Sequence, residues 1–397
     1  MAMRVRAGLN TFGIENANVN LPGKAATKSF VTKQTNGRRA LGAIDKNVVS
    51  NQSGESKKVN KKDTRPTRGM TKSKATSSLQ SVIKDEKITS TRVKSPEPMD
   101  MESVSNALAA FSSEQLLIDI EDIDKNDHDN PQLCSIYVND IYKYLRHLEF
   151  EFKVRADYMN EQEINARMRT ILVDWLVQVH LRFHLLQETL FLTVQLIDRY
   201  LQVQSVSKSK LQLVGVTAMF IAAKYEEMYP PEINDFVYIT DNAYSKSQIR
   251  TMEMHMLESL HFALGKPLCL HFLRRNSKAG GADAQKHTLA KYLMELTLPE
   301  YDFVQYDPSE IAAAALNLAM QLLEPDVEWS TTLAHYSNYT DAHLAPIVTK
   351  MAILVQKSVK SKYQAVRTKF ASSKFMRISG IPELKSSRIT ELAEDDS

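Results

Sequence analysis

The sequence predicts an all-α protein in which two similar helical domains follow a disordered N-terminal tail. Apolar residues recur at three- and four-residue spacing from Pro131 onward, which is typical of amphipathic helices. Two segments about a hundred residues apart, 211–223 and 311–323, are small and apolar on nearly every face, as in the central helix of a bundle. Because each needs surrounding helices, we predict two bundles in tandem.

The disordered tail is predicted over residues 1–130 from its composition. Residues 1–100 hold 20 Lys and Arg against 8 Asp and Glu, and their only aromatic residues are Phe12 and Phe30. Such a segment cannot bury enough apolar surface to offset the entropy lost on ordering. Residues 101–130 hold one Lys against eight acids, which leaves −2 for the rest of the chain. The basic excess lies in the tail, so we do not expect the folded part to bind nucleic acid.

An N-terminal helix and the first helical domain are predicted over 131–264. The clearest helix of this domain spans 162–186, with Asn160 and Glu163 as a capping pair. Its apolar residues form one stripe that must be covered by other helices. The stripe consists of Met168, Ile171, Leu172, Trp175, Leu176, Val179, Phe183 and Leu186.

Four more helices complete the first domain in this prediction. The second ends near Gln204, and the third is the central helix over 211–223. A short fourth segment lies around Phe236, and an amphipathic fifth helix runs to Leu260. The apolar side of the second helix consists of Leu190, Val194, Ile197 and Leu201. The junctions between these helices are marked by two prolines, Pro230 and Pro231, and by a capping pair, Ser245 and Gln248.

The same scheme recurs in the second predicted domain. Asp307, Pro308 and Glu310 supply an N-cap, a first-turn proline and a reciprocal capping acid ahead of the second central helix. Further helices are predicted on both sides of it. The second domain is predicted over 265–385, with flanking helices at 283–298 and 341–359. The C-terminal tail is predicted over 386–397.

No motif in the sequence predicts an enzymatic reaction. Glycine-rich phosphate loops, His-Glu-x-x-His, paired Cys-x-x-Cys and Gly-x-Ser-x-Gly are all missing, and glycine is scarce at 12 of 397 residues. His180 and His184 lie one turn apart without a third metal ligand, so we interpret them as packing or surface residues. Cys134 and Cys269 lie far apart, which indicates an intracellular protein without disulfides. We predict no catalytic residue, metal, cofactor or membrane span.

Three runs in the first domain resemble the cyclin-box family in order and spacing. They are MRTILVDWL at 168–176, KYEE at 224–227 ahead of YPPE at 229–232, and FVYITD at 236–241. The similarity covers about 131–385, and FLRR at 272–275 with YLMEL at 292–296 resembles the B-type mitotic group. The family usually has Ala where this chain has Thr170, and we expect only the local surface to change.

The resemblance implies two tandem five-helix cyclin boxes and a regulatory subunit without catalytic activity. Such a subunit binds and activates a mitotic cyclin-dependent kinase as a heterodimer, docks substrates and drives the G2/M transition. It is destroyed by ubiquitin-dependent proteolysis at mitotic exit. The implied localisation is cytoplasmic in interphase and nuclear at mitotic entry.

The resemblance also implies which residues contact the kinase. Lys224 and Glu253 match positions that bind main-chain groups beside the kinase's regulatory helix, with Tyr225, Glu226 and Phe262 nearby. A cation and an anion on adjacent helices can offer charge-assisted hydrogen bonds to such groups. The alternative is an ordinary surface ion pair, which contributes little to stability.

Two further surfaces are implied by the resemblance. One is a hydrophobic docking patch for Arg-x-Leu peptides of substrates and inhibitors, made of Met168, Ile171, Leu172, Trp175, Leu211 and Gln212. Core packing is an equal alternative for Ile171 and Leu172. The other is a pocket for phosphopeptides made of Arg274, His287 and Lys291, where a solvated basic face is the alternative.

The tail carries several regulatory motifs by the same resemblance. Residues 38–47, RRALGAIDKN, are similar to a destruction box that an anaphase-promoting ubiquitin ligase binds as an extended peptide. Its anchors are Arg38 and Leu41, followed by Gly42, Ile44 and Asn47. The candidate ubiquitin acceptors are Lys57, Lys58, Lys61 and Lys62. Ser95 precedes a proline and is a candidate phosphosite.

An acidic segment that ends the tail contains regularly placed apolar residues. These are Leu108, Phe111, Leu116, Leu117, Ile118, Ile120 and Ile123. The segment resembles a cytoplasmic-retention region that a nuclear export receptor binds, and an acidic linker is the alternative. For the whole chain, the alternatives are a cyclin-box transcription factor or scaffold and a helical-bundle enzyme with a carboxylate metal site. The nearly neutral folded part argues against the former, and inward-facing Glu-x-x-His pairs are missing for the latter.

Overall fold

The computed structural model describes residues 120–160 and 162–394, and the regular structure in these ranges is helical. The first domain follows helix α1 (Val138–Glu151) and consists of α2 (Ala166–Phe183), α3 (Gln187–Val203), α4 (Leu211–Glu226), α5 (Ile233–Ile239) and α6 (Lys246–Ser259). The second consists of α7 (Cys269–Ala279), α8 (Ala284–Thr297), α9 (Pro308–Leu323), α10 (Thr331–Ser337) and α11 (Asp341–Lys360). Helices α12 (Ala365–Phe370) and α13 (Ser387–Glu394) follow. The prediction of two tandem five-helix domains is confirmed.

Helices α4 and α9 form the centres of their domains, as their composition predicts. Nearly every residue of α4 from Leu211 to Ala223 is buried, and so is most of α9. Gly215 lets α2 approach α4 closely, because a Cβ there would lie 2.7 Å from Cδ1 of Leu172. None of the described helices combines the length and apolar character that crossing a bilayer requires.

Two of the three predicted helix starts are confirmed, and one is wrong. Ser245 and Gln248 form a reciprocal capping box at α6, as do Asp307 and Glu310 at α9. The pair Asn160 and Glu163 does not cap α2. The N-cap is Asn165, whose side chain accepts a hydrogen bond from Met168 N at 3.1 Å. The chain still turns before that point, so the helix begins later than predicted.

The N-terminal part of the described chain packs on the second domain. Tyr142 of α1 donates a hydrogen bond to the carbonyl of His271 at 2.8 Å. Asp124 accepts hydrogen bonds of 2.7 and 2.6 Å from the guanidinium of Arg275. Residues 120–130 therefore do not belong to a free tail as we predicted, and α1, which precedes the first domain in the chain, also contacts the second domain. Contacts between residues this far apart in sequence leave no periodic signal.

The predicted C-terminal tail over 386–397 also differs from the structure. Most of it forms α13, in which Ile389 and Leu392 are buried. These apolar residues lie three positions apart, so one face of the helix packs on the second domain, chiefly on α11. Residues 395–397 lie outside the described ranges.

A buried polar network joins the two domains. Arg169 donates two hydrogen bonds to the carboxylate of Asp198, at 2.7 and 2.8 Å, and a third to the carbonyl of Leu298 at 2.8 Å. The hydroxyl of Thr170 donates to the carbonyl of Pro299 at 2.8 Å. Our expectation that Thr170 alters only the surface is therefore wrong, because this residue is buried at the domain interface.

Candidate functional site

Lys224 and Glu253 form an ion pair at the surface of the first domain. Lys224 lies in the last turn of α4, and Glu253 lies on α6, which packs beside α4. The Lys224 ammonium also lies 4.3 Å from the ring centroid of Phe220, one turn earlier on α4. The ion pair and this cation–π contact hold the two side chains in place while Lys224 stays largely exposed.

Large apolar side chains close to this pair in the chain face solvent. Tyr225 and Phe262, which the sequence singles out, are both exposed. Sequence reasoning missed three more exposed neighbours in the chain, which are Met228, Tyr229 and Met254. Two of them sit in the turn before the Pro-Pro junction, which could have drawn attention to them. Exposed apolar residues around a fixed charge pair are typical of a protein-binding surface.

Glu226 is placed differently from the other predicted kinase contacts. Burial raises the pKa of its carboxyl, and the nearby carboxylates of Glu188 and Glu227 raise it further. Its charged neighbours thus include Glu188 and Arg274. Glu226 therefore belongs to the edge between this face and the cationic cluster of the second domain.

The predicted docking patch is nearly closed in the free chain. Leu172 is fully buried and packs against Gly215, so it is a core residue and cannot contact a bound peptide. Trp175 and Leu211 are also buried. Met168 and Ile171 keep 8% and 9% of their surface exposed, and Gln212 is half-buried. Only these last three residues offer a surface to a ligand, because α2 and α4 bury the rest against each other.

The structure brings Arg274, His287 and Lys291 together. Arg274 lies in the middle of α7, and His287 and Lys291 lie one turn apart on α8. Glu188 of α3 forms an ion pair with Arg274. Nδ1 of His287 lies 2.8 Å from the hydroxyl of Ser277. The cluster therefore joins three cationic or donor side chains to one carboxylate of the first domain.

Burial and neighbouring charges shift the pKa values of the side chains in this cluster. Burial lowers the pKa of His287 to about 4, and Lys291 and Arg274 lower it further, so this imidazole is neutral at pH 7. Burial also lowers the pKa of Lys291, with Glu188 partly opposing the change. For Glu188, burial raises the pKa, but Arg274 and Lys291 outweigh it and the net change is downward. An anion would be stabilised here by the two cations and one neutral donor.

The described ranges contain no group of three or more His, Cys, Asp or Glu placed to hold a metal ion. His180 is buried, with Nε2 2.9 Å from the carbonyl of Leu186, and His184 ends α2 in a left-handed conformation. Cys134 is exposed and Cys269 is buried. The destruction box, the candidate acceptor lysines, Ser95 and residues 108–118 lie outside the described residues.

In the acidic segment, Ile120 and Ile123 are described, and both are half-buried. The amide of Ile123 donates to the hydroxyl of Tyr336 at 3.4 Å. Ile123 is therefore engaged by the second domain in this structure.

Comparison with known proteins identifies the family. The N-terminal cyclin domain matches residues 140–265, and the C-terminal cyclin domain matches 267–384. The G2/mitotic-specific cyclin-B of Marthasterias glacialis is 63% identical over 96% of this chain and 98% of that protein. The protein of the same name from Arbacia punctulata is 60% identical over 97% and 95%. A viral cyclin from herpesvirus saimiri is 19% identical, with a TM-score of 0.47 over 56% of this chain and 98% of that one. With both cyclin domains matched and relatives this similar, the chain belongs to the cyclin family, in its B-type mitotic group.

Proposed function

We propose that this chain is a regulatory subunit that binds and activates a mitotic cyclin-dependent kinase. The observation that carries the proposal is the surface Lys224–Glu253 pair, whose lysine is exposed, with exposed apolar side chains close to it in the chain. The family assignment supports it, as do relatives named G2/mitotic-specific cyclin-B. The chain performs no reaction of its own in this proposal.

Activation follows from differential binding. The kinase exists in inactive and active arrangements, and a partner that binds the active one more tightly shifts the population toward it. Because Lys224 and Glu253 are held by each other and by Phe220, little side-chain entropy is lost when they bind kinase main-chain groups. Tyr225, Phe262 and their apolar neighbours bury further surface on binding.

The test is co-purification with the kinase followed by a histone-kinase assay. The variant Lys224→Ala with Glu253→Ala should lose most binding and activation, because both polar anchors are gone. Lys125→Ala with Glu121→Ala is the control, since it removes another surface Lys–Glu pair, in the segment that packs on the second domain. Parental binding and activation in the first variant would rule out this face.

We also propose that the Arg274 cluster binds a phosphorylated segment of a substrate or partner. A phosphate would replace Glu188 as the ion-pair partner of Arg274 and would form a second ion pair with Lys291. Arg274→Ala with Lys291→Ala should abolish preference for a phosphorylated over an unphosphorylated peptide. Glu188→Gln should strengthen phosphopeptide binding, since the competing carboxylate is removed. Equal affinity of the parental chain for both peptides would refute the pocket.

For Arg-x-Leu peptides, we propose binding along the accessible edge formed by Met168, Ile171 and Gln212. Met168→Ala should weaken peptide binding in a titration while leaving kinase activation unchanged. Unchanged peptide affinity in the folded variant would remove this edge as a docking site.

Destruction at mitotic exit is proposed from the motif at 38–47. Replacing Arg38 and Leu41 by Ala should make the protein persist past mitosis. Replacing Lys33 and Gln34 by Ala is the control, because both residues lie outside the motif. Normal degradation of the Arg38 and Leu41 variant would count against this proposal.

A further inference from the structure

The segment before α1 is anchored on α7, the helix that carries Arg274. Asp124 is buried there and accepts hydrogen bonds of 2.7 and 2.6 Å from Arg275 and one of 2.6 Å from Lys278. Asp127 forms an ion pair with Lys278. The Arg275 guanidinium binds the carboxylate through two nitrogens, which is the favourable geometry for a buried pair. These contacts hold the segment on the second domain.

The anchor and the Arg274 cluster lie on one side of α7. Arg274 and Lys278 are four residues apart on this helix, which places their Cβ atoms about 5–6 Å from each other. The Arg274 side chain is 54% exposed, so a ligand can reach it from solvent. The residue that anchors the N-terminal chain therefore lies one helical turn from the residue that we propose to bind phosphate.

One serine of the N-terminal chain has both a phosphorylation motif and enough chain to reach the cluster. Ser95 is the only Ser or Thr of the 397 residues that stands directly before a proline. It lies outside the described residues, and residues 96–119 separate it from the described range. A chain of that length can extend to about 80 Å, whereas a small domain is about 30 Å across. The chain length therefore allows Ser95 to reach Arg274.

The charges of the cluster favour a phosphate over the carboxylate that it now holds. Burial raises the pKa of the Glu188 carboxyl, but Arg274 and Lys291 outweigh it, so the potential at this carboxylate is positive. Glu295, a second acid near Lys291, has its own buried lysine partner. A phosphoserine carries a charge of about −1.5 to −2 at pH 7, more than a carboxylate. Arginine also binds phosphate through two parallel hydrogen bonds.

We propose that phosphorylated Ser95 binds the Arg274 cluster of its own chain and competes there with phosphorylated segments of substrates or partners. The inference rests on the proposed phosphate site and on the proposed kinase partner, which transfers the phosphoryl group. In this transfer the Ser95 hydroxyl oxygen bonds to the γ-phosphorus of ATP, the bond from that phosphorus to ADP breaks, and the hydroxyl proton is released to solvent. Phosphorylation of the N-terminal chain thus limits docking at the second domain.

Attachment in the same chain makes this competition effective. A ligand joined to its site by a short linker acts at an effective concentration on the order of 1 mM. The expected weakening of a competing peptide is one plus the ratio of that concentration to the Kd of the Ser95 segment as a free peptide. For a Kd of about 0.1 mM, the competing peptide should bind about tenfold more weakly.

The test measures how tightly a labelled peptide of residues 90–102, phosphorylated at Ser95, binds the full chain. The chain that carries phosphate on Ser95 should bind this peptide about tenfold more weakly than the unphosphorylated chain. Ser95→Ala, treated with the same kinase and ATP, should bind it as the unphosphorylated chain does. Undiminished binding by the phosphorylated parental chain would overturn the proposal. An equal weakening in Ser95→Ala would assign the competition to another phosphorylated residue, with the same consequence.

The variant Arg274→Ala with Lys291→Ala separates this inference from the proposed phosphate site. Lys357→Ala with Lys360→Ala is the matched control, because it removes two exposed lysines of α11 and should keep peptide binding. If the parental chain and the Arg274 and Lys291 variant bind the peptide equally, the cluster is not a phosphate site and both proposals fail. If only the parental chain binds it, but phosphate on Ser95 does not weaken binding, the site stands and its intramolecular occupant is refuted.

Sedimentation of the chain phosphorylated on Ser95 tests whether the contact forms within one molecule. Phosphorylation should leave the sedimentation coefficient independent of protein concentration, because site and ligand belong to the same chain. Association that grows with concentration and is lost in Arg274→Ala with Lys291→Ala would place the phosphate of one chain in the cluster of another. That result would overturn the intramolecular contact.

Discussion

The two domains share an arrangement of five helices but differ in how much of their surface the flanking chain covers. Both have a central helix of 16 residues and a fourth helix of seven. In the second domain, residues 120–151 and helix α13 cover outer faces, while α12 packs between α8 and α2 of the first domain. Among the described residues, no flanking helix covers the first domain at Lys224, and several exposed apolar residues lie near it in the chain. A duplicated fold thus acquires different roles through what the flanking chain covers.

Two Lys–Glu pairs, one at the surface of the first domain and one buried in the second, illustrate this difference. Lys224 and Glu253 pair at the open face of the first domain. Lys369 of α12 and Glu295 of α8 pair inside the second domain, where they are 2% and 0% exposed and Nζ lies 2.7 Å from both carboxylate oxygens. We interpret the buried pair as structural and the exposed pair as a binding element.

The largest effect on stability is expected from breaking the buried pair. Lys369→Met leaves the Glu295 carboxylate buried without its cation, which should lower the free energy of unfolding by about 3–5 kcal/mol. Lys224→Met should lower it by only about 0–1 kcal/mol, because the pair lies at the surface and Lys224 is exposed. Urea unfolding measures both. Adding Glu295→Gln to Lys369→Met should recover part of the loss, and equal losses in the two single variants would contradict the comparison.

The contact between α2 and α4 tests the packing of the first domain. Leu172→Ala should lower the free energy of unfolding by about 2–5 kcal/mol if this residue is core. Gly215→Ala should lower it by about 1–3 kcal/mol through overpacking against Leu172. The second domain has Ala312 at the same fifth position of its central helix. A Leu172→Ala variant as stable as the parent would instead place this side chain in the docking patch.

The start of α9 should make the second domain sensitive to pH. Burial raises the pKa of Glu149 to about 7, although Ser309 donates two hydrogen bonds to it. The folded state therefore holds a proton that the unfolded state has released, and stability falls as pH rises from about 4.5 to about 7. The loss is up to about 3 kcal/mol, since a tenfold change in proton affinity is about 1.4 kcal/mol.

The variant Glu149→Gln isolates this contribution. Urea unfolding of both proteins at pH 5 and pH 7.5 should show the variant gaining stability relative to the parent as pH rises. α4 begins without a side-chain cap, so no matching acid is expected at the first central helix. A constant difference between variant and parent at the two pH values would contradict the assignment.

The smallest effect is expected at the domain interface. Thr170→Val removes the hydroxyl that donates to the carbonyl of Pro299, which should lower the free energy of unfolding by about 1 kcal/mol. Thr193→Val is the control, because its hydroxyl bonds only to a carbonyl of its own helix, that of Thr189. If both variants lose equally, the bond between the domains contributes nothing beyond burial.

Much of the candidate site was accessible from local sequence, but its boundaries were not. The run around Lys224 and Tyr225 pointed to the open face, and helical spacing placed His287 and Lys291 on one side of α8. The same spacing could not separate Leu172 from Met168, because both lie on the apolar side of α2. Which of them remains accessible depends on how closely Gly215 lets α4 approach.

By itself, the sequence determined the helices, the two apolar central segments and the caps at Ser245 and Asp307, because periodicity and capping act over a few residues. Only the tertiary structure decided that α1 and residues 120–130 pack on the second domain and that Thr170 joins the domains. These contacts join residues far apart in the chain. Burial and pairing there depend on how the two bundles meet, and no local pattern records that.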